Sequence, residues 1–176
     1  MANFELRVSQ IFARARERVG TACEAMHHEH TAKGLLKSGA TAKAGVRIYE
    51  LEGETALRQA LDEIGNATEH RGAQWKAAVQ ATQKALDDYA GAAPDLLKKT
   101  MDLAGISGAA QRAIEGLVSR ANARLQAAID AYRDGWTAPQ ERKWNERHPM
   151  IYAVLLLVAG TIVGIISAKL FPGAGK

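Results

Sequence analysis

The chain has 176 residues, of which 47% are hydrophobic but only 6% aromatic. Much of the apolar share is therefore alanine, which favours helix but buries little surface and argues against a thick aromatic core. A single cysteine, Cys23, excludes an internal disulfide and suits a reducing compartment, and a net charge of +4 without a concentrated basic face excludes direct nucleic-acid binding from the expected roles.

In the first segment Phe4, Val8, Ile11, Ala15, Val19, Ala22 and Met26 recur at three- and four-residue steps, which predicts a helix over about 3–37. "KSGAT" then supplies a break, with Ser38 and Thr41 as caps and Gly39 suited to a left-handed turn. A second helix is expected over 41–90. Its apolar and small residues run from Leu57, Leu61 and Ile64 through Arg71 and Trp75 to Tyr89 in alternating steps of four and three, a heptad spacing that implies coiled-coil packing. Leu57, Leu61, Ile64 and Trp75 are the expected helix-packing seam.

Gly91 and Pro94 in "AGAAPD" mark the next boundary, followed by a short helix over 94–104 and a hinge at Gly105 and Gly108. The stripe returns in Ile114, Leu117, Ala121, Leu125, Ala128, Tyr132 and Trp136, giving a helix over 108–136. Residues 1–137 thus read as an all-α, elongated antiparallel helical bundle or coiled coil. In "TAPQ", Thr137 caps, Pro139 sits in the first turn, and a juxtamembrane helix follows over 138–148.

Charge is sorted along this body. Residues 1–47 carry eight basic and four acidic side chains, 48–95 four and nine, and 96–148 nine and six. Successive helices of alternating sign attract when folded back on one another.

From Pro149 to Ala168 twenty residues run without a charged side chain, enough for a helix of about 30 Å, which matches a bilayer's hydrocarbon core. One C-terminal transmembrane helix is expected over 149–171, with 172–176 as a short extracytoplasmic tail. Arg142, Lys143 and Arg147 precede it, and Trp144 and Tyr152 stand at interfacial depth, so these five are the interfacial anchors. The N-terminal "MANFELRVSQIFARARERVG" has charges throughout and no apolar signal region. The expectation is a tail-anchored protein with a cytoplasmic N-terminus. Gly160, Gly164 and Ala168 leave a strip free of bulk on the span, a face for helix association and a homo-oligomer.

One cluster has the look of chemistry. In "CEAMHHEH", Cys23, His27 and His30 share one side of a helix, and Glu24 with His27 forms a Glu-x-x-His element. Thiolate and imidazole at that spacing suit zinc, whereas a diiron bundle needs two such elements plus two further glutamates. The cluster is read as a polar patch, with Cys23, His27 and His30 as its metal candidates and no cofactor expected. Nucleotide, hydrolase and metalloprotease signatures are absent, so no enzyme activity is expected.

"ERHP" followed by "AVLLLVAGTIVGIIS" resembles the ElaB/YqjD group of bacterial inner-membrane proteins, over roughly the last thirty positions. The departures are Met150 where the family has tryptophan and Lys169 where it closes on an arginine pair. The resemblance implies a bacterial inner-membrane location and a ribosome as one partner. The resulting expectation is a membrane tether, scaffold or adaptor that meets the lipid bilayer and an unidentified protein partner. The alternatives are a membrane-perturbing effector that oligomerises through its anchor and, further off, a metal-dependent enzyme.

Overall fold

The computed structural model describes residues 2–68 and 71–135. Among these the chain is all-helical, with α1 over Ala2–Ala32, α2 over Gly39–Ala67, α3 over Ala73–Gly91, α4 over Ala93–Ala104 and α5 over Gly108–Gly135. The expected juxtamembrane helix, transmembrane span and tail lie outside the described residues, as do Gly160, Gly164, Ala168 and the five interfacial anchors. Among the described residues no helix is long and apolar enough to cross a membrane.

Local chemistry sets the breaks. α1 stops at Ala32, five residues short of the expected end, because Gly34 takes the left-handed conformation at φ 69°. Leu35 N–H donates to His30 O at 2.8 Å and Gly34 N–H to Thr31 O at 3.0 Å, the paired bonds of a Schellman stop. Gly39 therefore does not make the turn; it is the first helical residue of α2. Ser38 caps it, its hydroxyl accepting from Thr41 N–H at 3.4 Å. α4 ends in the same way at Gly105, with Ile106 N–H on Met101 O at 3.3 Å.

The single helix expected over 41–90 is corrected to two. Thr68 leaves the helix with extended backbone (φ −129°, ψ 126°), its hydroxyl bonded to Ile64 O, and α3 starts five residues later. Gly65, Asn66 and Gly72 weaken the helix here. An unbroken helix of that length would also hold most of its stripe away from any neighbour, whereas the fold-back brings α3 onto α2 and α1. Leu57, Ile64 and Trp75 are buried and Leu61 half-buried within one intramolecular core. The seam belongs to this core and is not free for a second chain.

α2 packs against all four other helices, and α1 and α5 flank it. The centre of the core is aromatic. Tyr49 and Tyr89 stack with ring centroids 4.8 Å apart and planes 7° from parallel, and Phe12 tilts against Tyr89 at 5.8 Å. Tyr89 donates to Tyr49 O at 2.7 Å and Tyr49 to Asn122 Oδ1 at 2.7 Å, so both buried hydroxyls are satisfied. Burial holds both phenols well above the ordinary tyrosine range.

The charge sorting is realised as ion pairs between helices. Glu52 of α2 takes Arg18 of α1 at 2.5 Å, Glu50 takes Arg124 of α5 at 2.6 Å, and Glu63 takes Arg7 of α1 at 3.3 Å. Lys99 of α4 also reaches Glu24 of α1 at 3.2 Å, a pair between two net-basic segments that the sorting does not account for. Pairs with at least one largely solvated partner are worth about 0.2–1 kcal/mol each, so they select the arrangement of helices more than they hold it.

Candidate functional site

The three metal candidates are occupied by structure. His27 is buried where α1 crosses α4, its Nε2 2.9 Å from Thr100 Oγ1, and the buried Cys23 thiol lies near that hydroxyl. His30 instead meets α2, with Nδ1 2.7 Å from Thr41 Oγ1. Because the Thr41 hydroxyl donates to Leu35 O at 2.8 Å, the His30 Nδ1–H is the donor to Thr41. Burial pushes the His27 imidazole down, helped by the nearby Lys99 ammonium, and pushes the Cys23 thiol up against the opposing Thr100 hydrogen bond. Among the described residues no group of three or more His, Cys, Asp or Glu side chains is placed to hold a metal ion. Imidazoles and thiol act as polar pins between α1, α2 and α4.

The feature left open lies between α4 and α5. Both helices pack on α2, α4 through Leu97, Thr100 and Ala104 and α5 through Ile114, Ala121 and Leu125, but they do not pack extensively on each other. Between them runs a groove of about 740 Å³. Its apolar wall has Leu97 and Met101 one turn apart on α4, and Ile114 and Val118 one turn apart on α5, with Ile106 closing one end. The rim carries Asp95, Asp102 and Glu115 against one ammonium, Lys98, which is already paired with Asp102 at 2.9 Å.

A second trough of about 690 Å³ follows α1 and α3 and is floored mainly by Ala77, Ala81 and Ala85 beside Phe12. Its rim mixes Glu5, Asp87 and Asp88 with Arg16 and Lys84. It offers little apolar depth, and its three acids are nearly balanced by two bases.

Sequence reasoning did not find the α4–α5 groove. The residues were legible as a short helix and a hinge, but the gap arises from how two helices share a third, which no local pattern encodes. The signal available was the strong amphipathicity of "DLLKKTMDLA", whose exposed side keeps Met101 and Leu96 only half-buried. No protein-family model, curated protein or solved structure matches the chain.

Proposed function

We propose that the chain is a single-pass membrane protein, anchored through residues 149–171, whose helical body acts as a tether or adaptor at the cytoplasmic membrane face and performs no catalysis. The observation that carries the adaptor part is the α4–α5 groove: an apolar slot on a bundle whose central seam is already closed. A body with a satisfied core has no need of a partner for folding, so an open groove of this size is surface available for binding. Support for the membrane part comes from the uncharged run Pro149–Ala168, the basic and aromatic flank Arg142, Lys143, Trp144, Arg147 and Tyr152, and the resemblance of that region to the ElaB/YqjD group. Self-association is assigned to Gly160, Gly164 and Ala168, since the body's seam is internal.

Fractionation tests the reading. The full chain is expected in the membrane pellet after alkaline carbonate washing. A chain ending at Arg147 is expected in the supernatant with its helical circular dichroism intact. Recovery of the full chain in the carbonate supernatant would refute anchoring, and digestion of the body by protease added outside spheroplasts would refute the orientation.

A further inference from the structure

The α4–α5 groove carries enough chemistry to name what fills it, and this step rests on the adaptor reading above. We infer that it is a docking site for a basic amphipathic helix of a partner protein. Three observations lead there. The first is shape. Leu97 and Ile114 form a buried floor, and Met101 and Val118, each four residues on along its own helix, stand half-buried above it on facing sides with Ile106 at one end. A third helix laid between them would seat apolar anchors at i, i+3, i+4 and i+7, as helices do in apolar grooves. The supporting helix α4 has 12 residues, about 18 Å, so roughly three turns of the incoming helix are held.

The second observation is charge. The rim presents three carboxylates and one ammonium. Lys98 is committed to Asp102, while Asp95 and Glu115 have no cationic partner among the described residues. Lysine or arginine flanking the incoming helix's apolar stripe would meet a rim on which carboxylates outnumber ammonium groups three to one. An anionic lipid headgroup or an acidic helix would meet like charge instead.

The third is openness without collapse. α4 is held on α2 by Leu97, Thr100 and Ala104, and Thr100 is pinned by His27. α5 is held by Leu125 and Ile129, so neither helix is free to close the gap by swinging toward the other.

The test uses the full chain in phosphatidylcholine nanodiscs and a 14-residue Leu–Lys amphipathic peptide carrying a central benzophenone, with a Leu–Glu peptide of the same pattern as its counterpart. After irradiation, adducts are mapped by mass spectrometry, which separates groove binding from peptide adsorbed on lipid. The Leu–Lys peptide is expected to label Met101, Ile106 and Val118, with the Leu–Glu peptide giving at least about tenfold less. Asp95→Asn with Glu115→Lys should remove those adducts, whereas Asp87→Asn with Asp88→Asn on α3 should leave them, both variants keeping wild-type helicity. Adducts spread over α1 and α3, equal labelling by both peptides, or groove labelling that survives the Asp95/Glu115 change would each overturn the inference. So would protein–protein adducts formed without peptide from benzoylphenylalanine at Val118, because they would show a second copy in the groove. None of these results alters carbonate fractionation, so a failed groove leaves the anchored-tether reading standing, and a failed anchor leaves the groove result readable.

Discussion

Gly53→Ala tests a close approach that α2 makes to two neighbouring helices at once. A Cβ at Gly53 would lie 2.8 Å from Tyr89 Cε1 and 2.9 Å from Leu125 Cδ1. Carbon atoms pack best about 3.5–4.0 Å apart, so both neighbours must yield by more than half an ångström. Tyr89 has nowhere to go: its ring is stacked on Tyr49 at 4.8 Å and its hydroxyl is tied to Tyr49 O. Leu125 can only rotate into a core in which it is itself 1% exposed. Overpacking of this kind costs about 1–3 kcal/mol, against about 1 kcal/mol gained from replacing a mid-helix glycine by alanine. The net expectation is a loss of about 1 kcal/mol, or a melting point lower by about 2–8 °C. Gly116→Ala on α5 is the internal control, since an added Cβ there meets nothing within 4 Å and the full helix gain of about 1 kcal/mol should appear. Urea unfolding of residues 1–136, followed by far-ultraviolet circular dichroism, compares the two. If Gly53→Ala matches or exceeds wild-type stability while Gly116→Ala behaves as expected, α2 does not approach α3 and α5 as closely as described.

Three further outcomes follow from the same contacts. His27 is held neutral by burial, so as pH falls below 6.5 the unfolded chain takes up a proton that the folded chain resists. Stability should therefore decline as pH falls below 6.5, and urea midpoints for His27→Gln should show a shallower decline. Thr100→Val keeps the volume but strands the buried His27 nitrogen, for an expected loss of about 1–3 kcal/mol by the same unfolding assay; a loss below about 0.3 kcal/mol would mean that water replaces the hydroxyl. Gly160→Ile with Gly164→Ile keeps the segment apolar yet fills its groove, so an in-membrane two-hybrid assay should show weakened association with unchanged fractionation.

Much of the helix content was legible because the apolar spacing is nearly uninterrupted. In α1 the periodic residues Phe4, Val8, Ile11, Ala15, Val19 and Met26 are buried, and Ala22 is half-buried beside the buried Cys23. Phe12, fully buried against Tyr89, was outside that stripe because a strict four-and-three stepping describes a narrow seam. A helix held between two neighbours needs the wider face of a 3.6-residue period. The same drift appears in α5, where Ile129 is buried and Ala128 exposed, the reverse of the stripe expected from the sequence. The break after Ala67 was hidden for a related reason. The heptad stays in phase on both sides of the turn, since both halves serve one core, and periodicity alone does not distinguish one long helix from two that fold back. In the cluster of Cys23, His27 and His30, spacing put three ligand-type residues on one side. Tertiary packing then gave Cys23 and His27 to Thr100 and His30 to Thr41.

What tightens the core also leaves the groove open. Gly45 and Gly53 stand eight residues apart on α2, about 12 Å along its axis. The first lets Thr100 of α4 come so close that an added Cβ would lie 2.7 Å from its methyl group, and the second admits Tyr89 of α3 and Leu125 of α5. Each neighbour is therefore drawn to α2 at its own level. With α4 held at the upper glycine and α5 at the lower, the two helices converge on α2 and not on each other, and the side chains facing the gap, Met101 and Val118, remain half-buried. An alternative body in which α4 packed on α5 would bury those residues but withdraw Thr100 from His27 and Cys23. The buried imidazole would then lose its hydroxyl partner, at a cost of about 1–3 kcal/mol. Hiding one methionine and one valine more fully recovers an amount of the same order. The open groove is thus the state in which the polar pins between α1 and α4 are satisfied, and an incoming helix can bury Met101 and Val118 without disturbing them.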